Sequence, residues 1–328
     1  MKKYFAVILK CIISCGLIWI LLSEIDLLAA VDRALEANPY ILSITAVIFA
    51  LQMLIGGARW GFVLTSIKAP LALLETTRLF YIGAFFSQVL PSSVGGDGIR
   101  MFLSYKHGLT LSQAINSVMI ERVITLVGLA ALTGLVLPNF ISRLNLLNQN
   151  SIILVFSILV FGLVTIVIFL AFLDRLPLHL HRFRIIRGMS YLAKDTRYIF
   201  SSPKLIAIAI FWGILTHVCI STYVFVLGYS LNLHLSWLNC VVLIPPVMLI
   251  TTIPISIAGW GVRETVMVVA LGLIGIPDEG ALVLSVLFGF SAIMWTLPAA
   301  LIWVLNRSKN EVASLREIKK TISGNSKK

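Results

Sequence analysis

Seven ionisable side chains stand inside otherwise apolar sequence: Lys10, Asp97, Arg100, Glu121, Arg122, Arg263 and Glu264. The chemistry open to such a set is ion pairing and anion binding. A charge at the centre of a bilayer is costly when unpaired, so these residues are expected to face a cavity or a partner. Asp97 and Arg100 are three apart, a spacing that brings side chains together on a helix. Glu121 and Arg122 are adjacent, as are Arg263 and Glu264, so they point in different directions and pair across segments. One reading is that the acids simply neutralise the arginines. The other, favoured for Asp97, Arg100, Arg263 and Glu264, adds recognition of an anion such as phosphate, which a guanidinium fork grips at two oxygens. Glu121 and Arg122 are read as structural ion pairs.

The two arginines Arg100 and Arg263 occupy copies of one motif. Leu90-Pro91-Ser92-Ser93-Val94-Gly95-Gly96-Asp97-Gly98-Ile99-Arg100 aligns without gaps on Ile253-Pro254-Ile255-Ser256-Ile257-Ala258-Gly259-Trp260-Gly261-Val262-Arg263, each position 163 residues after its counterpart (91 to 254, 100 to 263). Pro, one Ser, two Gly and Arg are identical. Pro91, Gly95, Gly96 and Gly98 in one copy, and Pro254, Gly259 and Gly261 in the other, are expected to break the helices. A half-helix starting near Gly98 would hold Arg100 in its first turn, where the helix dipole disfavours a cation and favours an anion. Ser93 and Ser256 are expected to cap the half-helices or to donate to a headgroup. Trp260 either packs against a lipid chain or fills space. Gln88, Asn116 and His217 either line a path or join helices. Arg59 and Arg78 are placed at the cytoplasmic interface.

These motifs need a membrane frame to position them. The chain of 328 residues is 59% hydrophobic and only 12% charged, about half the charge of a soluble domain. Residues 5–22, 40–58, 114–137, 152–173, 205–230 and 281–305 are each long and apolar enough for a full span. Residues 78–108 and 237–275 are apolar but broken, the second at Pro245-Pro246 as well as at Pro254 and the glycines. The expected fold is therefore an all-α integral membrane protein, one transmembrane domain of six spans and two broken, re-entrant hairpins. Backbone satisfaction in lipid demands helices.

Charge sets the orientation. The net charge is +12, and Lys and Arg concentrate in residues 176–204 and in the tail 306–328, while residues 23–39 are acidic. The positive-inside rule places both termini and 176–204 in the cytoplasm, with 23–39 opposite. Counting crossings from a cytoplasmic N-terminus, 5–137 and 152–305 repeat with reversed orientation, an inverted repeat of the kind that places a binding site near the midplane. The apolar N-terminus is read as an uncleaved span, since it contains Lys10 and lacks a small-residue cleavage site. The basic loops do not call for nucleic acid. Cys11, Cys15, Cys219 and Cys240 lie in apolar runs without CxxC or Cys/His spacing, so neither metal, cofactor nor disulfide is expected.

At these motifs the chain resembles the lysylphosphatidylglycerol synthase transmembrane-region family, also called flippase-like. The matching residues are Gly83-Ala84-Phe85-Phe86-Ser87-Gln88-Val89-Leu90-Pro91, Gly95 to Arg100, Glu121-Arg122, and Pro254 to Glu264. The family includes the N-terminal flippase region of the multiple peptide resistance factor. The resemblance implies a plasma (inner) membrane translocase that moves an anionic, modified or isoprenoid-linked lipid between leaflets, with membrane lipids as cargo. Bifunctional relatives continue into a soluble aminoacyl-transferase domain, and this sequence stops at Lys328, so a separate lipid-synthesising enzyme is the expected partner. Two other functions compete. An intramembrane lipid-modifying transferase would need a base, for which His107 and Asp97 are the available pair, and a small-anion permease would need a water-filled path.

Overall fold

The computed structural model describes residues 37–90, 95–141, 184–252, 256 and 259–325, with isolated positions between 32 and 35 and between 150 and 169. The expected spans 5–22 and 152–173, Pro91, Ser93 and Pro254 lie outside the described residues or are touched only at isolated positions. Among the described residues the chain is all helix: α1 (Pro39–Ser66), α2 (Leu73–Val89), α3 (Gly95–Lys106), α4 (Leu111–Ile141), α5 (Arg184–Ser201), α6 (Pro203–Ser230), α7 (Trp237–Thr252), α8 (Val262–Gly272) and α9 (Asp278–Asn325). Four of these have the length and apolar character to cross a bilayer: Pro39–Ser66, Leu111–Pro138, Pro203–Ser230 and Asp278–Leu305.

Local chemistry sets the helix ends. Asn38 accepts from the N–H groups of Tyr40 and Ile41 while Pro39 fills the first helical position, where no N–H is missed. α1 stops at Lys68, whose φ of 60° lets the Ala69 N–H reach back to the Leu64 carbonyl. α6 stops in the same way, with Asn232 at φ 54° and the Leu233 N–H on the Gly228 carbonyl. The turns that end α3 and α8 match as well, through positive-φ Gly108 and Gly275.

The order of a long helix, two short ones and a long one thus occurs twice, as α1–α4 and as α6–α9. In each set the two short helices pack together, and the last helix packs on the first short helix of the other set: α4 on α7, α9 on α2. α1 and α6 also pack on each other, and α6 meets α4 where glycines remove the side chains. A Cβ on Gly213 would lie 2.7 Å from the Gly128 Cα, so any larger residue would push the backbones apart.

One expected break is not a break, and another falls at the start of a helix rather than within it. α7 runs through Pro245 and Pro246 to Thr252. Its neighbours bury Ile244 and Val247 almost completely, and such packing holds a proline-containing helix together in a membrane fold. Gly95 and Gly96 do not interrupt α3 but open it, which moves the start of the half-helix from Gly98 to Gly95. The reason is contact: a Cβ on Gly83 would lie 3.1 Å from the Gly96 carbonyl, and only glycines let α2 and α3 run so close.

α5 is the cytoplasm-assigned basic segment in helical form. Leu192, Ala193 and Ile199 are buried against α4 and α6, and Asn116 donates to Asp195 at 2.8 Å. Burial raises the Asp195 carboxyl above its ordinary pKa, with the Asn116 bond pulling the other way.

Candidate functional site

The two half-helices meet at one cavity of about 330 Å³. Its wall includes Asp97 and Arg100 from α3, Arg263 from α8, Glu121 and Arg122 from α4, and Arg59 from α1. Gln88 lines it too, among neutral polar residues that include Gln52, Thr251 and Tyr223.

The first cluster is a chain of pairs. Glu121, 2% exposed, takes Arg59 on one carboxylate oxygen and Arg100 on the other, the latter at 2.7 Å. Arg100 also reaches Asp97 at 3.2 Å, and Asp97 holds Arg122 at 2.7 Å. The Arg100 guanidinium lies over the Trp60 and Phe80 rings, 4.9 and 5.0 Å from their centroids. Such stacking favours a cation that has lost its water. The Nε–H groups of Arg59 and Arg100 are buried and have no acceptor among the described residues.

The second cluster is smaller. Contrary to the expected pairing across segments, Arg263 bonds its chain neighbour Glu264 at 2.6 Å through Nη2, its long side chain reaching round the first turn of α8, and it stacks on Trp260 at 4.6 Å. Glu264 is the third residue of α8 and accepts from the Gly261 N–H at 2.6 Å, one half of a capping box whose other half a glycine lacks the side chain to supply. Gly259 and Gly261 both have φ 84°, a region that L side chains rarely enter. Ser285 donates to Glu264 at 3.3 Å, and Gly289 leaves room for the guanidinium.

Several expectations change. Arg59, placed by sequence at the cytoplasmic interface, is 4% exposed and belongs to the site. Its signal was its register: it follows the apolar stretch of a helix that continues to Ser66, so it lies well inside α1. Arg100 sits in the second turn of α3, not the first, because the helix starts at Gly95. Arg263 is in the first turn of α8, as expected. Ser256 does not cap α8; Gly261 is the N-cap, and the Ser256 hydroxyl is buried with no hydrogen-bond partner among the described residues. Trp260 packs on Arg263 and, edge to face, on Phe290. Arg122, read as structural, has a side chain 40% exposed, against 4–5% for Arg59, Arg100 and Arg263. His107 and Asp97 are not brought together: His107 pairs with Glu75 at 2.8 Å. Arg78 also pairs with Glu75, at 3.3 Å. His217 joins α6 to α4 through the Thr125 carbonyl at 2.9 Å.

Buried arginines on paired half-helices around a polar cavity are the arrangement that the motifs imply, and the family model decides the relationship. The model described as the lysylphosphatidylglycerol synthase TM region matches residues 7–308. The chain belongs to that family. No curated protein matches it. Family membership and the four apolar helices make this a multi-pass membrane protein with a lipid-related role. Every residue of the two clusters falls within the family match.

Proposed function

We propose that this member of the lysylphosphatidylglycerol synthase TM-region family is a lipid translocase of the plasma membrane. It would carry an anionic, phosphate-bearing lipid, isoprenoid-linked or not, between leaflets, and take that lipid from a separate synthesising enzyme. The observation that carries the reading is the charge around the cavity. Four guanidinium groups, Arg59, Arg100, Arg122 and Arg263, are matched by three carboxylates, Asp97, Glu121 and Glu264, leaving one cation in excess among the described residues. An excess cation is costly in an apolar protein unless an anion visits it. The acceptor-less Nε–H groups of Arg59 and Arg100 add to that demand.

The frame supports alternating access. We read α1–α4 and α6–α9, with the preceding spans 5–22 and 152–173, as two inverted repeats with both termini cytoplasmic. The reciprocal packing of α4 on α7 and α9 on α2 is what a two-fold axis in the membrane plane would produce. Rocking one repeat against the other would then open the Arg100–Arg263 cavity to either leaflet.

Reconstitution tests this. The full chain goes into liposomes with an acyl-labelled fluorescent phosphatidylglycerol, and dithionite bleaches the outer leaflet. Wild type should expose the inner-leaflet pool, and folded Arg100→Ala/Arg263→Ala protein should not. Bleaching that stops at the outer leaflet, as in protein-free vesicles, would refute translocation. Full movement in the double mutant would reduce both arginines to structural partners.

A further inference from the structure

The excess charge is not spread evenly over the four arginines, and this bears on which lipid the cavity admits. Arg59, Arg100 and Arg263 are enclosed, each bonded to a carboxylate, with side chains only 4–5% exposed. Arg122 is 40% exposed and lines the cavity, and its carboxylate partner, Asp97, also serves Arg100. Arg122 is therefore where the uncompensated charge reaches the cavity. An incoming phosphate oxygen can replace Asp97 at Arg122, and Asp97 then keeps its bond to Arg100. The same geometry is hostile to an ammonium group. All three carboxylates of the site already hold guanidinium groups, and the remaining polar wall, which includes Gln52, Gln88, Thr251 and Tyr223, is neutral.

We infer that the cavity selects its lipid by net headgroup charge, with Arg122 as the contact that does the selecting. It admits a phosphodiester headgroup bearing one net negative charge and rejects an aminoacylated one. This rests on the translocase reading and narrows its cargo. Phosphatidylglycerol brings one negative charge, which leaves the lined cavity neutral. Its lysyl ester brings one phosphate and two ammonium groups, net positive, and would leave the cavity with two unmatched cations at low dielectric. Like charges forced together there cost several kcal/mol, enough for discrimination of tenfold or more. A member of a family named after lysyl-lipid synthesis would thus carry the unmodified anionic lipid in preference to the modified one. Uncharged glycerol or sugar hydroxyls meet no penalty from the neutral wall.

The test compares acyl-labelled phosphatidylglycerol with its acyl-labelled lysyl ester in the same reconstituted vesicles. It is repeated with Arg122→Lys, Arg122→Gln and Arg122→Glu. Binding is read separately, from the melting temperature of the detergent-solubilised full chain with dihexanoyl phosphatidylglycerol, its lysyl ester, or inorganic phosphate. Wild type should move the anionic lipid at least about tenfold faster than the lysyl ester. Arg122→Lys should keep the preference, Arg122→Gln should bring the two rates within about twofold, and Arg122→Glu should invert them. Only phosphatidylglycerol should raise the melting temperature. Equal wild-type rates for the two lipids would overturn charge selection and leave translocation standing. Selective stabilisation without movement would overturn translocation and leave charge selection standing. An equal shift with inorganic phosphate alone would overturn a lipid as the source of the anion. An unchanged preference in Arg122→Glu would overturn the assignment to Arg122.

Discussion

Glu121 is the position where removal of a single charge should cost most. Its carboxylate is 2% exposed and is shared by Arg59 and Arg100. Arg100 has a second carboxylate in Asp97, but Arg59 falls back on the Thr216 hydroxyl at 2.7 Å. Glu121→Gln keeps the shape and one acceptor oxygen while leaving Arg59, 4% exposed, with no counter-charge. Breaking a buried pair in this way costs about 3–5 kcal/mol, and the amide oxygen that still accepts one bond puts the expected loss near the lower end, about 3 kcal/mol. Removing the stranded cation should recover much of it. The Arg59→Gln/Glu121→Gln double mutant also restores the charge surplus of one, so its lipid preference should match wild type. Unfolding in mixed detergent, run as a double-mutant cycle, gives the coupling directly, expected at about 1.5 kcal/mol or more. A Glu121→Gln loss under about 0.5 kcal/mol, or additive single-mutant losses, would show that the cavity is wet enough to screen these charges.

Three further changes probe other links. Gly289→Ala would place a Cβ 2.9 Å from Cζ and Nη1 of Arg263, and closer still to Nη2, so an overpacking loss of about 1–3 kcal/mol is expected. Adding Arg263→Lys, which removes the crowded fork, should return stability without returning transport. Gly261→Ala must hold φ 84° and ψ −52°, for which a strain of about 1–3 kcal/mol is expected in the same unfolding assay, whereas Gly272→Ala, with open space around it, should be neutral. Lys194→Cys on a cysteine-free background should resist an impermeant maleimide in intact cells and react after permeabilisation. Labelling in intact cells would place α5 outside and overturn the inverted orientation.

The long helices were legible because composition dictates them: a run of apolar residues bounded by Asn38-Pro39 or Ser202-Pro203 leaves little choice of form or start. Their ends were less legible, since α1 continues past Ala58 to Ser66, and Arg59 looked like a boundary only because charge was taken as the stop signal. Pro245-Pro246 misled for a different reason. A proline pair predicts a break from local propensity, and burial of α7 by its neighbours overrides it. The motif arginines were legible from their repetition. The role proposed for Arg122 was not, because adjacency to Glu121 predicts only that each pairs with another segment, and the partner of Arg122, Asp97, is 25 residues away in sequence.

The two copies of the motif carry the same arginine but not the same charge. In the second copy Arg263 has Glu264, a serine hydroxyl and a tryptophan face, a closed and neutral arrangement. Were structural support all that the arginines provide, the first copy would need no more than Arg100 and one acid. Instead it adds Arg59, Arg122 and a second acid, three cations on two carboxylates. On the proposed reading, a duplicated frame would account for two clusters at one cavity, and their unequal charge would account for a single binding place between them. An anion held mainly at the first cluster sits off the axis of the repeats, beside the neutral Arg263 cluster. If the repeats rock as proposed, the side that holds the charge would stay the same while the side that opens changes. Binding strength would then be comparable in both orientations, the condition for the proposed movement of a lipid rather than its trapping.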